Sequence, residues 1–280
     1  MSLNSVNTNV GATIALQSLN ATNTQLAAVQ KQISTGYRVA DATDDGAAYA
    51  VAQRVRSDVG ALTSANQQLG NVKGLVSTTL SALNDVSNTM NSARDVLVKL
   101  ADGNTVGTQR SQYAAQYNSL VANIKSFFSD ATYNTKTLLG NIGGTSGFGS
   151  IAVVRNEVGA TYGIATFSGS AVYGSLNNSN FTAVSGALGA ISATGTFTNM
   201  LNSIGTKLNY YGAASNYVDN QISYNSDKMN ALNTGLGSLV DADLAKESAQ
   251  LQSLQIRQQL GTQALSIANQ APQSLLSLFK

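Results

Sequence analysis

Val55, Leu62, Leu69, Val76, Leu83 and Met90 recur every seven residues without a break. Val51, Val59, Val72, Leu80 and Val86 fill in at three- and four-residue offsets. A seven-residue apolar repeat held this long describes a helix packed along a seam, as in a coiled coil. Over residues 47–100 such a helix extends roughly 80 Å at 1.5 Å per residue. Asp41-Ala42-Thr43-Asp44-Asp45-Gly46 offers N-cap residues before it, and Asp102-Gly103-Asn104 ends it. The repeat forms the core of a helical rod, with Val55, Leu62, Leu69, Val76, Leu83 and Met90 as the core residues.

A seam of this length needs partner helices, and both ends of the chain carry the pattern for them. Leu3, Val6, Val10 and Ile14, then Leu19, Leu26, Val29 and Ile33, form a narrow helical stripe with Asn, Thr, Ser and Gln on the other faces. Gly36 reads as its stop. Tyr113, Tyr117, Leu120, Ile124 and Phe127 mark a shorter helix whose aromatic end, Phe127-Phe128 with Tyr133, packs on the long one. Helical spacing returns from Leu201 to Leu239, interrupted only at Ser215 and Asn225, and continues through Leu244, Leu251, Leu254, Leu265, Ala268 and Leu275. Pro272 falls where it limits that last helix. Residues 141–195 differ: they are rich in Gly, Ser and Thr, and Ile151-Ala152-Val153-Val154 and Thr161–Phe167 favour short strands. The expected fold is mainly α, a long antiparallel helical rod or coiled coil from both chain ends with a small β-rich central insertion.

Composition narrows the chemistry. The chain of 280 residues has no His, no Cys and no Trp, a single Pro, and only 11% charged residues. Ser–His–Asp and Cys–His catalysis, zinc helices, iron–sulfur ligation and disulfides are excluded, and a metal could bind only through oxygen. No lysine–arginine run marks a nucleic-acid footprint at a net charge of +2. No stretch reaches the roughly 18 apolar residues of a membrane span, and the first residues lack a cleavable signal pattern. No cofactor, enzyme activity, nucleic acid or membrane partner is expected. Few charges flank the terminal stripes, so those helices are poor candidates for folding alone and good ones for ordering where many copies meet.

Ile33-Ser34-Thr35-Gly36-Tyr37-Arg38, then Ala40-Asp41 and Asp44-Asp45-Gly46-Ala47-Ala48, resembles the N-terminal signature of bacterial flagellins. Val240–Ser248, Gln263–Gln270 and Pro272–Leu278 resemble the C-terminal signature. The resemblance covers residues 1–140 and 196–280. It implies a structural subunit that polymerises into a secreted, extracellular flagellar filament for motility. The terminal helices, 1–40 and 240–280, would be disordered in the monomer and form the inner filament core. Residues 41–140 and 196–239 would form the helical wall, and 141–195 the variable surface domain. It further implies export by the flagellar type III apparatus, a chaperone on the C-terminal helix, and cap and junction proteins as partners. A hook–filament junction protein with similar ends is the alternative. The assembly stripe is then Leu19, Leu26, Val29, Ile33, Leu244, Leu251, Leu254, Leu265 and Leu275.

Other features have plainer readings. Asp44-Asp45 caps a helix rather than forming a catalytic carboxylate pair, and Asp241, Asp243 and Glu247 are helix-start acids rather than a cation site. Gly147–Ala152 fits a loose GxGxxA, but strand residues follow it and the dinucleotide reading fails. The sequons at Asn20, Asn177 and Asn180 are chance; Ser and Thr within 141–195 are better modification candidates, because flagellins are often O-glycosylated there. Gly205, Gly235 and Gly261 are sites of potential close helix approach. Flagellins that activate the flagellin-sensing Toll-like receptor carry an Arg, a Leu and a Glu where this chain has Ser92, Val96 and Gln116, although Arg94 and Asp95 match an Arg-Glu pair. Weak or no receptor activation is expected.

Overall fold

The computed structural model describes residues 8–140 and 150–277. Leu3, Val6, the glycine-rich start of the central segment and the first three residues of the GxGxxA match lie outside the described residues, as does the side chain of Leu275. Seven α-helices run in the order α1 (Val10–Thr35), α2 (Gly46–Ala101), α3 (Gly107–Asp130), α4 (Gly169–Leu176), α5 (Val184–Ile191), α6 (Thr196–Val240) and α7 (Leu244–Ser277) among the described residues. Between α3 and α4 lie strands β1 (Ser150–Val154) and β2 (Thr161–Ala165), and a 3₁₀ turn (Ser179–Thr182) separates α4 from α5. The described chain is therefore mainly α with one small sheet.

Two compact units divide the chain: residues 1–57 with 230–280, and residues 58–229. In the second, Leu75, Val76, Leu83, Val86, Met90, Val96, Leu97 and Leu100 of α2 are buried with Tyr117, Val121, Ile124 and Phe128 of α3, and Phe197, Ile204 and Tyr211 of α6. The buried phenols are satisfied: the Tyr117 hydroxyl donates to Leu176 O at 2.8 Å, and that of Tyr211 to Ala165 O at 3.0 Å. Burial pushes both phenols well above their ordinary pKa.

The sheet is an antiparallel hairpin with Ile151 opposite Ile164 and Val153 opposite Tyr162. Its period-2 inner face puts Val153 beside Leu69 of α2 and Val218 of α6. Between Gly169 and Ile191 the described part of the central segment is largely helical, where the sequence reads as β-rich. Gly169–Leu176 and Val184–Ile191 are eight-residue helices burying Val172, Leu176, Ala187 and Ala190 in the core. Such short Ala-, Gly- and Ser-rich pieces carry little periodicity, and packing decides their state.

Asn225, an interruption in the apolar spacing of α6, is fully buried. Its amide donates to Asn66 Oδ1 at 2.8 Å and Arg155 O at 2.9 Å and accepts from Gln221 at 2.9 Å. At Ser215 the neighbouring Ala214 is buried instead. Lys228 ion-pairs with Glu157 in the hairpin turn and holds that carboxyl below its usual range.

Candidate assembly interface

In the unit of residues 1–57 and 230–280, α1 and α7 lie antiparallel. The covered positions on α1 are Ala12, Ala15, Leu19, Thr22, Leu26, Val29 and Ile33; on α7 they are Glu247, Leu251, Leu254, Gln258, Gly261, Leu265 and Ala268. Both sets step by threes and fours, the seam of a coiled coil. Val29 and Leu254 are buried and the other leucines and Ile33 half-buried. Close contacts fix the register. Gln258 donates to Asn23 at 2.8 Å, and a Cβ built on Gly261 would lie 3.2 Å from Leu19 Cδ1. Of the three glycines singled out for close approach, Gly205 and Gly235 face open space and Gly261 alone takes a facing side chain.

Asn9 closes one end of the seam. Its Oδ1 caps α1 by accepting from Ala12 N at 3.1 Å, while its Nδ2 donates to Ala268 O at 2.6 Å. That carbonyl lies four residues before Pro272, which has no N–H to offer it. Pro272 was expected to limit the helix; α7 instead runs on to Ser277, and the acceptor that the proline frees is taken by Asn9.

The other end of the seam is a double chain reversal. Gly36, at φ +73°, ends α1 in the left-handed conformation. Arg38 N donates to Val240 O at 2.7 Å and Ala242 N to Gly36 O at 2.9 Å, so Tyr37 and Asp241 pair as a β-bridge. Beneath it Val39, Ala48, Ala52 and Val240 form a small buried cluster. Asp45 Oδ1 caps α2 through Ala47 N and Ala48 N, both at 3.0 Å. Asp243 Oδ1 caps α7 through Ala245 N and Lys246 N, both at 3.1 Å. Asp41 and Asp44 share one cation: Lys31 Nζ lies 2.7 Å from Asp41 and 2.8 Å from Asp44. The ammonium holds both carboxyls below their ordinary range, and they in turn raise Lys31.

The stripe residues named from the sequence thus divide. Leu19, Leu26, Val29, Ile33, Leu251, Leu254 and Leu265 lie on the face that α1 and α7 share. Leu244 is exposed; the register sets it opposite Gly36, which has no side chain to cover it. A second row escaped the sequence reading. Ile256, Leu260 and Ile267 are 58%, 64% and 62% exposed. At 100° per residue they fall within about 40° of one another, on the side of α7 away from the seam. Their steps of four and seven residues form a three–four ladder of their own, offset by two positions from the seam's Leu254. Val10 and Ile14 are likewise exposed on α1.

Among the rod-core positions, Leu62, Leu69, Val76, Leu83 and Met90 are fully buried in the unit of residues 58–229, and Val55 is half-buried in the other unit. The receptor-equivalent positions do not form one surface. Ser92 and Gln116 are exposed, whereas Val96 is 3% exposed and packs in the core. The exposed residues next to it on α2 are Asp95 and Val98. Among the described residues, no group of three or more acidic side chains gathers as a metal site, and no helix is long and apolar enough to cross a membrane.

Terminal helices that close on each other, yet leave a second apolar row in water, present the kind of surface at which proteins associate. The bacterial flagellin N-terminal helical region matches residues 6–143 and the bacterial flagellin C-terminal helical region matches residues 191–279. Flagellin FljM of Caulobacter vibrioides is 34% identical over 284 residues, spanning 100% of both chains. A flagellin of Brucella melitensis is 35% identical over 286 residues, 99% of each. The chain belongs to the bacterial flagellin family. Among solved structures, Bacillus cereus flagellin superposes with a TM-score of 0.51 at 18% identity, covering 57% of this chain and 88% of that one. A flagellar hook-associated protein from Vibrio parahaemolyticus gives 0.54 at 16% identity, covering 71% and 100%. At those identities the two structures carry the fold alone.

Proposed function

We propose that this chain is a structural subunit that polymerises into the bacterial flagellar filament, and that the α1–α7 pair is its inner assembly element. The observation that supports this most is the division of α7 into two apolar faces. The seam face is used within the chain, and the row of Ile256, Leu260 and Ile267 is left exposed by the described residues. Each such side chain removed from water contributes about 1.5–3 kcal/mol. Low charge on these helices lets neighbours surround them without stranding ions.

Residues 1–40 and 240–280 are then the inner core, 41–140 and 196–239 the wall, and 141–195 the outward surface. Membership of the flagellin family supports an extracellular position in the filament. Export by the type III apparatus, a chaperone on the C-terminal helix, and cap and junction proteins complete the reading, with no catalytic role. The burial of Val96 and the polar Ser92 and Gln116 favour weak activation of the flagellin-sensing Toll-like receptor. The hook-junction alternative gains no support from the comparisons, whose whole-chain relatives are named flagellins.

The test separates the two faces. Leu260→Asp is expected to leave residues 58–229 folded, by circular dichroism and proteolysis, while abolishing seeded filament growth in electron micrographs. Leu254→Asp breaks the seam itself and is expected to lose filaments with residues 58–229 still folded. Normal filaments from both variants would overturn the assignment.

A further inference from the structure

The hairpin has two outer edges, and α6 takes one of them. Ala165 N donates to the Tyr210 hydroxyl at 2.8 Å, and Ala165 O accepts from the Tyr211 hydroxyl at 3.0 Å. Beyond it, Phe167 N donates to Leu138 O at 2.6 Å and Gly169 N to Leu139 O at 2.7 Å. Tyr162 stacks on Tyr217 of α6 with ring centroids 4.0 Å apart. The backbone groups of Ala165 thus point away from β1. In an antiparallel pair the two directions alternate along each strand. Ile164 and Tyr162 are therefore the residues of β2 that bond to β1, through Ile151 and Val153. Arg155 N, which donates to Ala160 O at 2.8 Å, continues the same alternation into the turn.

Ser150, Ala152 and Val154 by the same alternation aim their N–H and C=O groups off the other edge. Among the described residues, no hydrogen bond reaches the backbone of Ala152 or Val154 from that side. Native sheets blunt such an edge with charge, proline, a bulge or a cover. The segment Ser150–Val154 has no charge and no proline, and it pairs with β2 in unbroken register. Beside its Val154 end lies a groove of about 260 Å³, with Val154 and Gly159 on the hairpin side and Ala61, Ser64, Ala65 and Gln68 of α2 on the other. Unpaired backbone groups along a groove are what strand addition uses. Main-chain bonds hold the added strand, and pockets take its alternate side chains.

Those backbone groups also select the occupant. A helix satisfies its own backbone, whereas an extended peptide matches this edge donor for acceptor. A second copy of the hairpin does not fit. Paired strands lie about 4.8 Å apart, but each β1 edge has its own α2 beside it, and two helices need about 8–10 Å between axes. The groove is smaller than the roughly 300 Å³ at which small-molecule pockets begin, and Ala61 and Ala65 leave room there for small side chains. Glu157 at the groove is already neutralised by Lys228, so nothing there calls for charge. We propose that β1 is a strand-addition site, at which an extended segment of a different protein, with small uncharged side chains, pairs with Ser150, Ala152 and Val154 beside α2.

The chain has no cysteine, so Ser64→Cys places a single thiol in the groove. The probe is the peptide Thr-Val-Ala-Val-Thr with a terminal cysteine, offered to the monomeric chain under graded mercaptoethanol. Its control is the same peptide N-methylated at every backbone amide, which cannot donate to a ladder. The probe is expected to stay disulfide-linked at about tenfold more reductant than the control, because tethering gives both the same effective concentration and leaves backbone pairing as the difference. Amide exchange at Ala152 and Val154 is expected to be fast in the chain alone, beside slow Ile151 and Val153, and to slow once the probe is linked. Equal retention of probe and control, or Ala152 and Val154 amides as slow as their neighbours in the dilute chain alone, would overturn the site. Protection of those two amides that grows with the concentration of the unlinked chain would assign the edge to a second copy and overturn the choice of partner. Every readout is on the monomer, so the filament reading stands or falls separately.

Discussion

Asn225 occupies a position where the spacing of α6 calls for an apolar residue, and every polar atom of its side chain is nonetheless satisfied. It fastens the hairpin to α6 through Arg155 O and α6 to α2 through Asn66. Asn225→Leu leaves the Arg155 carbonyl and the Asn66 amide without that partner in a buried site. The expected cost is about 1–3 kcal/mol, read as a lower urea midpoint with an unchanged slope. Sequence periodicity located this residue as an interruption but could not supply its partners, which lie 159 and 70 residues away. Gly261 is similar in kind. Its sequence shows a glycine among polar residues, and only the register of two helices 242 positions apart, Leu19 to Gly261, shows what fills the space above it.

At the scale of elements, the long helices were legible because their apolar spacing repeats many times and their caps use residues suited to the job. The predicted long helix over 47–100 is found at Gly46–Ala101, bounded by Asp45 and Asp102. The exposed row on α7 was not legible, because the leucine ladder of the seam already accounts for one apolar face and Ile256, Leu260 and Ile267 fall between its rungs. The joint between α1 and α2 has a pH dependence whose sign follows from its charges. Asp41 and Asp44 have depressed folded pKa values, so their contribution is present above the unfolded carboxylate value of about 3.9 and is lost as pH falls through the folded values. The raised Lys31 contributes below its unfolded value of about 10.4 and is lost as pH climbs through its folded one. The joint is thus closed from roughly pH 4 to pH 10. Amide exchange in residues 37–45 is expected to quicken on acidification below that window, beyond the intrinsic trend. Lys31→Met should quicken it at neutral pH and flatten the acid response; an unchanged profile would show that the ion triad does not hold the loop.

Across the whole molecule, composition excluded histidine and cysteine chemistry, and two terminal signatures pointed to the flagellin family. The central segment stayed obscure, since a hairpin and two eight-residue helices are too short for periodicity to outweigh tertiary packing. Receptor recognition belongs to this scale also. With Val96 in the core, endotoxin-free monomer is expected to give a response in a receptor reporter assay at least tenfold below that of a flagellin carrying the Arg, Leu and Glu; an equal response would refute it. The bond from Asn9 to Ala268, bridging 259 positions, has a further meaning for the life of a single copy. The seam joins two stretches of chain more than two hundred positions apart, so α1 has its partner face only where α7 is also present. Each of the two helices is thus the other's missing face: Leu19, Leu26 and Val29 have no covering surface without Leu251, Leu254 and Leu265.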